Sequence, residues 1–203
     1  LYKRQLIACG DDPEIKKLLP QCSRPNVTYG FEETNDYVIS NYEPFEFRSN
    51  FLLTYAGQSI QIDLNMLGRH NALNASAACV LAIEEGINTS IIQGALKSFM
   101  GINRRMQVLG IMTVKDSNLI LIDDYGHHPS EIKNTIESIR ESHPKKKLTM
   151  VFQPHRYSRT KDLFEEFVEV LQLVDQLILL DIYPAGEDLI KNYESKDLLE
   201  RLK

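Results

Sequence analysis

Between residues 118 and 183 the chain alternates short apolar runs with amphipathic stretches, and few folds accept that order. "NLILID" is followed by "SEIKNTIESIRES", "KLTMVFQ" by "TKDLFEEFVEVLQ", and "QLILLDIY" closes the series. The apolar runs show no regular polar alternation, whereas the stretches between them repeat at a helical period. Continuous apolar strands joined by helices predict a parallel sheet covered on both faces, with right-handed crossovers. The fold class is α/β.

Ligands of open parallel sheets sit just beyond the carboxyl ends of the strands. Three such ends are legible: "DDYGHHP" after the first strand, "QPHRYSRT" after the second and "DIYPAGE" after the third. The first two carry most of the ionisable groups, and the fold should bring them to one edge.

The first half reads differently. "RQLIACG" is a strand ended by Gly10, and "DDPEIKKLLP" a short helix with Pro13 in its first turn. "NVTYGF", "DYVISNYEP", "EFRSNFLLTYAG" and "QSIQIDLNM" are β-like, the last two forming a hairpin that turns at Ala56-Gly57. "NALNASAACVLAIEEG" is an Ala-rich helix ending at Gly86, and a second helix runs from Thr89, as N-cap, to Phe99. Around "MGINRRMQVLG" the pattern changes, as in a linker between domains.

Each ionisable cluster has a plain reading beside a functional one. Asp123 and Asp124 point to opposite sides of a strand end, so one can face a ligand while the other bonds the loop backbone. His127 and His128 are imidazoles suited to zinc, but adjacent histidines rarely chelate one ion, and no H-x-x-x-H spacing occurs. Pro129 restricts His128 to an extended, structural role; His127, beside Gly126, is the ligand-facing candidate. Arg156 and Arg159 share a face if a helix has begun, and a helix N-terminus with two guanidinium groups suits phosphate or carboxylate. Their plain alternative is a surface pair with Asp162 or Glu165. His70, Asn71 and Asn74 form a polar group ahead of an apolar helix; Asn71 could simply cap it, or the amides could meet a base edge. Arg104 and Arg105 could reach a phosphate or remain solvated.

Bulk properties exclude other classes. The net charge of −5 argues against a general nucleic-acid or membrane-surface role, and Lys145–Lys147 reads as a solvated turn. No apolar run approaches the ~20 residues that span a bilayer. The three cysteines, Cys9, Cys22 and Cys79, have no metal-ligand spacing and read as reduced thiols of a cytoplasmic protein. The opening "LYKRQLIACGDDP" has no initiator Met and no signal-peptide character, and reads as a piece of a longer chain.

"GRHNALNA", "RRMQVLG", "DDYGHHPSEI", "VFQPHRYSRTKDLFEEF" and "DIYPAGE" together resemble the Mur ligases of peptidoglycan synthesis. The resemblance runs through most of the chain and is strongest to members that join L-alanine to UDP-N-acetylmuramate. It implies the later part of a central ATPase domain over residues 1–102. A Rossmann-like C-terminal domain with a mostly parallel sheet would follow over 103–203, incomplete at its end, with a hinge at 101–105. By the same resemblance His70, Asn71 and Asn74 would contact ATP, and Arg105 and Asp124 would act on it catalytically. Tyr125, His127, Arg156 and Arg159 would line the pocket for alanine and the nucleotide sugar. The family's P-loop and Mg²⁺ ligands would lie before Leu1, leaving no metal ligand in this chain and an inactive fragment. A murein-peptide ligase, a metal-dependent hydrolase and a non-catalytic nucleotide- or amino-acid-binding module are the competing readings.

Overall fold

A computed structural model describes residues 5–115 and 117–202. Arg4, at the start of the expected first strand, lies outside them. The chain divides into two compact units, one ending at Ile122 and one beginning at Asp123. The division falls between the last two residues of "NLILID".

The first unit is built on a five-stranded sheet in the order β1-β2-β3-β4-β5. Its strands are β1 (Leu6–Cys9), β2 (Asn26–Gly30), β3 (Tyr37–Phe45), β4 (Arg48–Tyr55) and β5 (Gln58–Leu64). β1, β2 and β3 pair in parallel, and β4 and β5 add antiparallel strands. The β4–β5 hairpin turns at Ala56 and Gly57, as anticipated, with φ of 44° and 75°. Two positive values suit the tight turn that matches strand twist.

Helix α1 (Pro13–Leu18) is capped by Asp12, whose carboxylate accepts from the N–H groups of Glu14 and Ile15. Helix α2 (Arg69–Glu84) buries Ala72, Ala75, Ser76, Cys79 and Val80. These positions repeat at three and four residues, and most are small, so the helix lies close to the sheet. Phe51, Leu53 and Ile62, all fully buried, meet them from β4 and β5. Burial pushes the Cys79 thiol up to about 12, so it remains a protonated core group. Helix α3 (Thr89–Ser98) is capped by Asn88, not Thr89: the Asn88 side chain accepts from Ser90 N–H.

The expected linker is partly a strand. β6 (Gln107–Val114) pairs with β7 (Ser117–Asp123) in a two-stranded sheet. The strand "NLILID" thus has β6, which the sequence reading did not foresee, as its neighbour.

In the second unit β8 (Thr149–Phe152) and β9 (Gln176–Leu179) pair in parallel. Helices α4 (Pro129–Ser142), α5 (Tyr157–Asp162), α6 (Phe164–Leu171) and α7 (Ser195–Leu202) accompany them. Ile136, Phe167, Leu171 and Leu198 are at most 2% exposed and form the core with Phe152. The expectation of two covered faces is corrected here. Val151 and Ile178 remain 63% and 52% exposed among the described residues, while Met150, Phe152, Leu177 and Leu179 pack on the helices. A strand exposes alternate residues to opposite faces, so an unbroken apolar run does not reveal which face is covered. The single helix expected from "TKDLFEEFVEVLQ" is broken at Leu163 into α5 and α6.

Candidate functional site

In the first unit the polar group ahead of α2 begins at Gly68, whose φ of 100° turns the chain into the helix. Glycine adopts that value without the Cβ clash that other residues suffer. Gly68 carbonyl accepts from Asn71 and Ala72 N–H, so Gly68 is the N-cap and Asn71 lies within the first turn. The reading of Asn71 as N-cap is thereby corrected. Its amide instead donates to Leu67 carbonyl at 2.7 Å, and the residue is 8% exposed. That bond commits the NH₂ end and orients the side chain.

Asn71 lines a cavity of about 430 Å³ together with Arg48, Asn65, Leu67, Met100 and Arg105. Asn65 ties the cavity wall to the last turn of α3, donating to Lys97 carbonyl at 2.6 Å. The structure thus joins Asn71 and Arg105, distant in sequence, around one space. His70 and Asn74 do not line it: His70 is half-buried and Asn74 exposed one turn further along α2. Arg104 and Met106 flank Arg105 with φ of 58° and 47°.

In the second unit the loop "DDYGHHPSE" is organised by its own acids. Asp124 Oδ1 accepts from Gly126 N–H at 2.6 Å. A Cβ on Gly126 would stand 2.7 Å from that oxygen, so a side chain there would make the Asp124 carboxylate shift. His128 is the N-cap of α4, with a reciprocal capping box to Glu131. Its φ of −108° and ψ of 142° are the extended conformation expected before proline. Glu131 Oε2 also accepts from His127 N–H at 3.0 Å. His127 Nδ1 lies 3.1 Å from Tyr125 carbonyl, and its ring meets Tyr125 edge-on at 5.4 Å. The two histidines therefore have different partners and different jobs.

The second loop comes to the first. The His127 and His155 ring centroids are 6.2 Å apart, and Tyr183 of the third loop packs 5.3 Å from His155. His155 Nδ1 is buried with no hydrogen-bond partner among the described residues. Burial first, then the charges of Arg159, Arg156 and His127, push its pKa below the usual imidazole value. His155 thus holds a proton less readily than a free imidazole and has an unpartnered nitrogen; it was absent from the candidate residues read from sequence. Its signal was only its place within "QPHRYSRT".

The expected Arg156–Arg159 helix face is also corrected. Arg156 precedes α5 as its N-cap with φ of 72°, and only Arg159 lies within the helix. Arg159 Nη1 donates to His155 carbonyl at 3.4 Å. The carboxylate beside Arg156 is neither Asp162 nor Glu165. It is Glu187, at 3.9 Å, while Glu165 faces Arg201. The donors at the start of α5 are not free either: Ser158 N–H and Oγ both donate to Glu187. These bonds, and then Arg156, hold the Glu187 carboxyl below the usual range.

Among the described residues no group of three or more His, Cys, Asp or Glu side chains is gathered as a metal would require.

Two family models match the chain: the Mur ligase middle domain over residues 2–82, and the Mur ligase glutamate ligase domain over residues 104–203. The chain is 50% identical over 198 residues to UDP-N-acetylmuramate–L-alanine ligase of Baumannia cicadellinicola subsp. Homalodisca coagulata, covering 95% of this chain and 40% of that protein. It is similar to the crystal structure of UDP-N-acetylmuramate-alanine ligase from Thermotoga maritima, with a TM-score of 0.74 and 25% identity over 97% of this chain and 40% of that one. A MurF ligase from Thermotoga maritima in complex with ADP shares the fold, with a TM-score of 0.66 and 19% identity over 87% of this chain and 40% of that one. The chain spans about 40% of the length of these relatives.

Proposed function

Because the chain belongs to the Mur ligase family, we propose that it is the ATPase-to-substrate-domain portion of an ATP-dependent ligase joining L-alanine to UDP-N-acetylmuramate. The observation that carries this reading is the 50% identity over 198 residues to a ligase of that name. We take 1–102 as central-domain sequence and 103–203 as C-terminal-domain sequence, and place the reaction in the cytoplasm, in cell-wall synthesis. No helix among the described residues is long and apolar enough to cross a membrane.

The reaction has two steps. The carboxylate of the nucleotide sugar attacks the γ-phosphorus of ATP, ADP leaves, and an acyl phosphate remains. The amine of L-alanine then attacks the acyl carbon, phosphate leaves, and the nitrogen loses a proton. The first step is chiefly a matter of positioning and charge neutralisation. The cavity beside Asn71 would take the nucleotide, with the oriented Asn71 amide facing the base and Arg105 neutralising phosphate charge. His70 and Asn74 would meet ATP beyond the cavity, and Asp124, whose carboxylate accepts from Gly126 N–H, is assigned to ATP by the family motif alone. Mg²⁺ would accompany the nucleotide.

Arg156 and Arg159 would hold the alanine carboxylate, since guanidinium forks match carboxylate geometry. Tyr125 and His127 would form the adjoining wall. On this reading the chain alone is inactive and carries part of an active site.

Phosphate release by the intact gene product tests the proposal, with ATP, Mg²⁺ and UDP-N-acetylmuramate, and with L-alanine, a murein tripeptide or neither. Release that requires L-alanine supports it. Release with the tripeptide alone transfers the protein to murein-peptide recycling, and no release leaves a binding module.

A further inference from the structure

The loop that follows β9 is built as a template for the loop that follows β8. Arg156 N–H donates to Tyr183 carbonyl and Tyr183 N–H to Pro154 carbonyl, both at 2.8 Å, so a one-residue parallel bridge joins His155 to Tyr183. The chain then closes a tight turn. Glu187 N–H donates to Pro184 carbonyl at 3.0 Å, with φ of 50° at Ala185 and 86° at Gly186. This turn returns Glu187 to the start of α5. Its carboxylate accepts from Ser158 N–H at 2.9 Å and from Ser158 Oγ at 2.7 Å, and stands 3.9 Å from Arg156 Nη1.

Arg156 itself is strained, with a left-handed φ of 72° that a residue bearing a Cβ adopts at a cost. Such a conformation persists only where its surroundings over-determine it. Here Tyr183 holds the Arg156 N–H. Thr160, fully buried, donates its N–H and Oγ1 to the Arg156 carbonyl. The backbone is fixed from both sides, and Glu187 is the carboxylate left to direct the guanidinium.

We propose that Glu187, delivered by the 184–187 turn, is a positioning residue that holds the Arg156 side chain ready for the carboxylate of the amino-acid substrate. This rests on the reading of Arg156 and Arg159 as the carboxylate-binding pair. The ion pair is loose and its arginine half-exposed, so it adds little to stability. Its effect lies in restricting a long side chain before substrate arrives. Without it, substrate binding must supply that ordering, and affinity falls while the chemical step is unchanged.

The test is steady-state kinetics of the intact gene product, varying L-alanine with ATP, Mg²⁺ and UDP-N-acetylmuramate in excess. Glu187→Gln keeps oxygen and nitrogen near Ser158 but removes the charge that faces Arg156. The KM for L-alanine should rise about 2–10-fold, with kcat and the melting temperature unchanged. In an Arg156→Ala background the same substitution should leave KM where Arg156→Ala alone put it, because the two residues act through one contact. An unchanged KM in Glu187→Gln overturns the proposal. So does a rise that persists undiminished in the Arg156→Ala background, or a parallel loss of kcat and melting temperature. Arg159→Ala separates this inference from the reading beneath it. If Arg159→Ala raises the KM and Glu187→Gln does not, the positioning role alone fails. If Arg159→Ala leaves the KM unchanged, both fail.

Discussion

Replacing Tyr42 with phenylalanine should loosen the start of α2 without touching the polar residues it carries. Tyr42 sits at a bulge in β3: Ser40 pairs with Leu52 and Glu43 with Asn50, so β3 has one residue more than β4 across the same span. A bulge of this kind re-aims a side chain. Here it accompanies a Tyr42 hydroxyl that accepts the Gly68 N–H at 2.9 Å. Phenylalanine preserves the ring, and with it the edge contact to Phe31 at 6.2 Å and the Arg69 guanidinium stacked 3.6 Å from Phe31. The acceptor of the Gly68 N–H is lost, and that N–H belongs to a buried glycine.

An unsatisfied buried donor costs about 1–3 kcal/mol. Tyr42 is itself half-buried, so some water can enter, and the lower half of that range, about 1–2 kcal/mol, applies. For a unit of this size that is a fall in melting temperature of about 3–8 °C. Urea unfolding of the purified chain, followed by far-ultraviolet circular dichroism, measures it. A change below about 0.5 kcal/mol, the size of an ordinary surface substitution, would refute the claim that Tyr42 holds the N-cap.

Two further outcomes follow from the second unit. Gly126→Ala places a methyl group 2.7 Å from Asp124 Oδ1, so the carboxylate must rotate away and lose the Gly126 N–H; a charge-assisted bond of about 1.5–3 kcal/mol is at stake. In the intact gene product this should lower turnover with ATP, while Asp124→Asn with Gly126→Ala should be scarcely worse than Asp124→Asn alone. Acid should destabilise the second unit through His155. Its unfolded imidazole takes a proton near 6.5, and the folded one only at lower pH. Between those two values the unfolded state binds more protons, so stability falls as pH falls. His155→Gln should flatten the pH dependence of the melting temperature below 6.5, and an identical slope in both proteins would remove His155 from that role.

The local elements were legible because their causes are local. Pro13 in the first turn of α1, the Ala56-Gly57 turn and the conformation of His128 before Pro129 each follow from a residue's own backbone preferences. The N-caps of α2 and α3 were displaced because neighbouring residues competed for the same position, Gly68 with Asn71 and Asn88 with Thr89. β6 was hidden because two arginines and two glycines made its surroundings read as linker. Candidate residues could be drawn from the family motifs along the sequence, but their companions could not. Glu187 lies 31 residues from Arg156, too far for any spacing rule, and the burial of His155 Nδ1 depends on Tyr183 and the turn that delivers it.

An α/β chain, its strand-end loops and the family whose motifs those loops carry are all readable along the chain. These depend on periodicity, turn chemistry and side-chain type, all written along the chain. The tertiary structure decided which groups meet: Asn71 with Arg105 around one cavity, His127 with His155 across two loops, and Glu187 with Arg156 rather than Asp162 or Glu165. Those pairings depend on strand register and on the φ values of Gly68, Arg156 and Ala185, which long-range packing holds in place. No local propensity specifies a contact whose two halves are brought together only when the core closes.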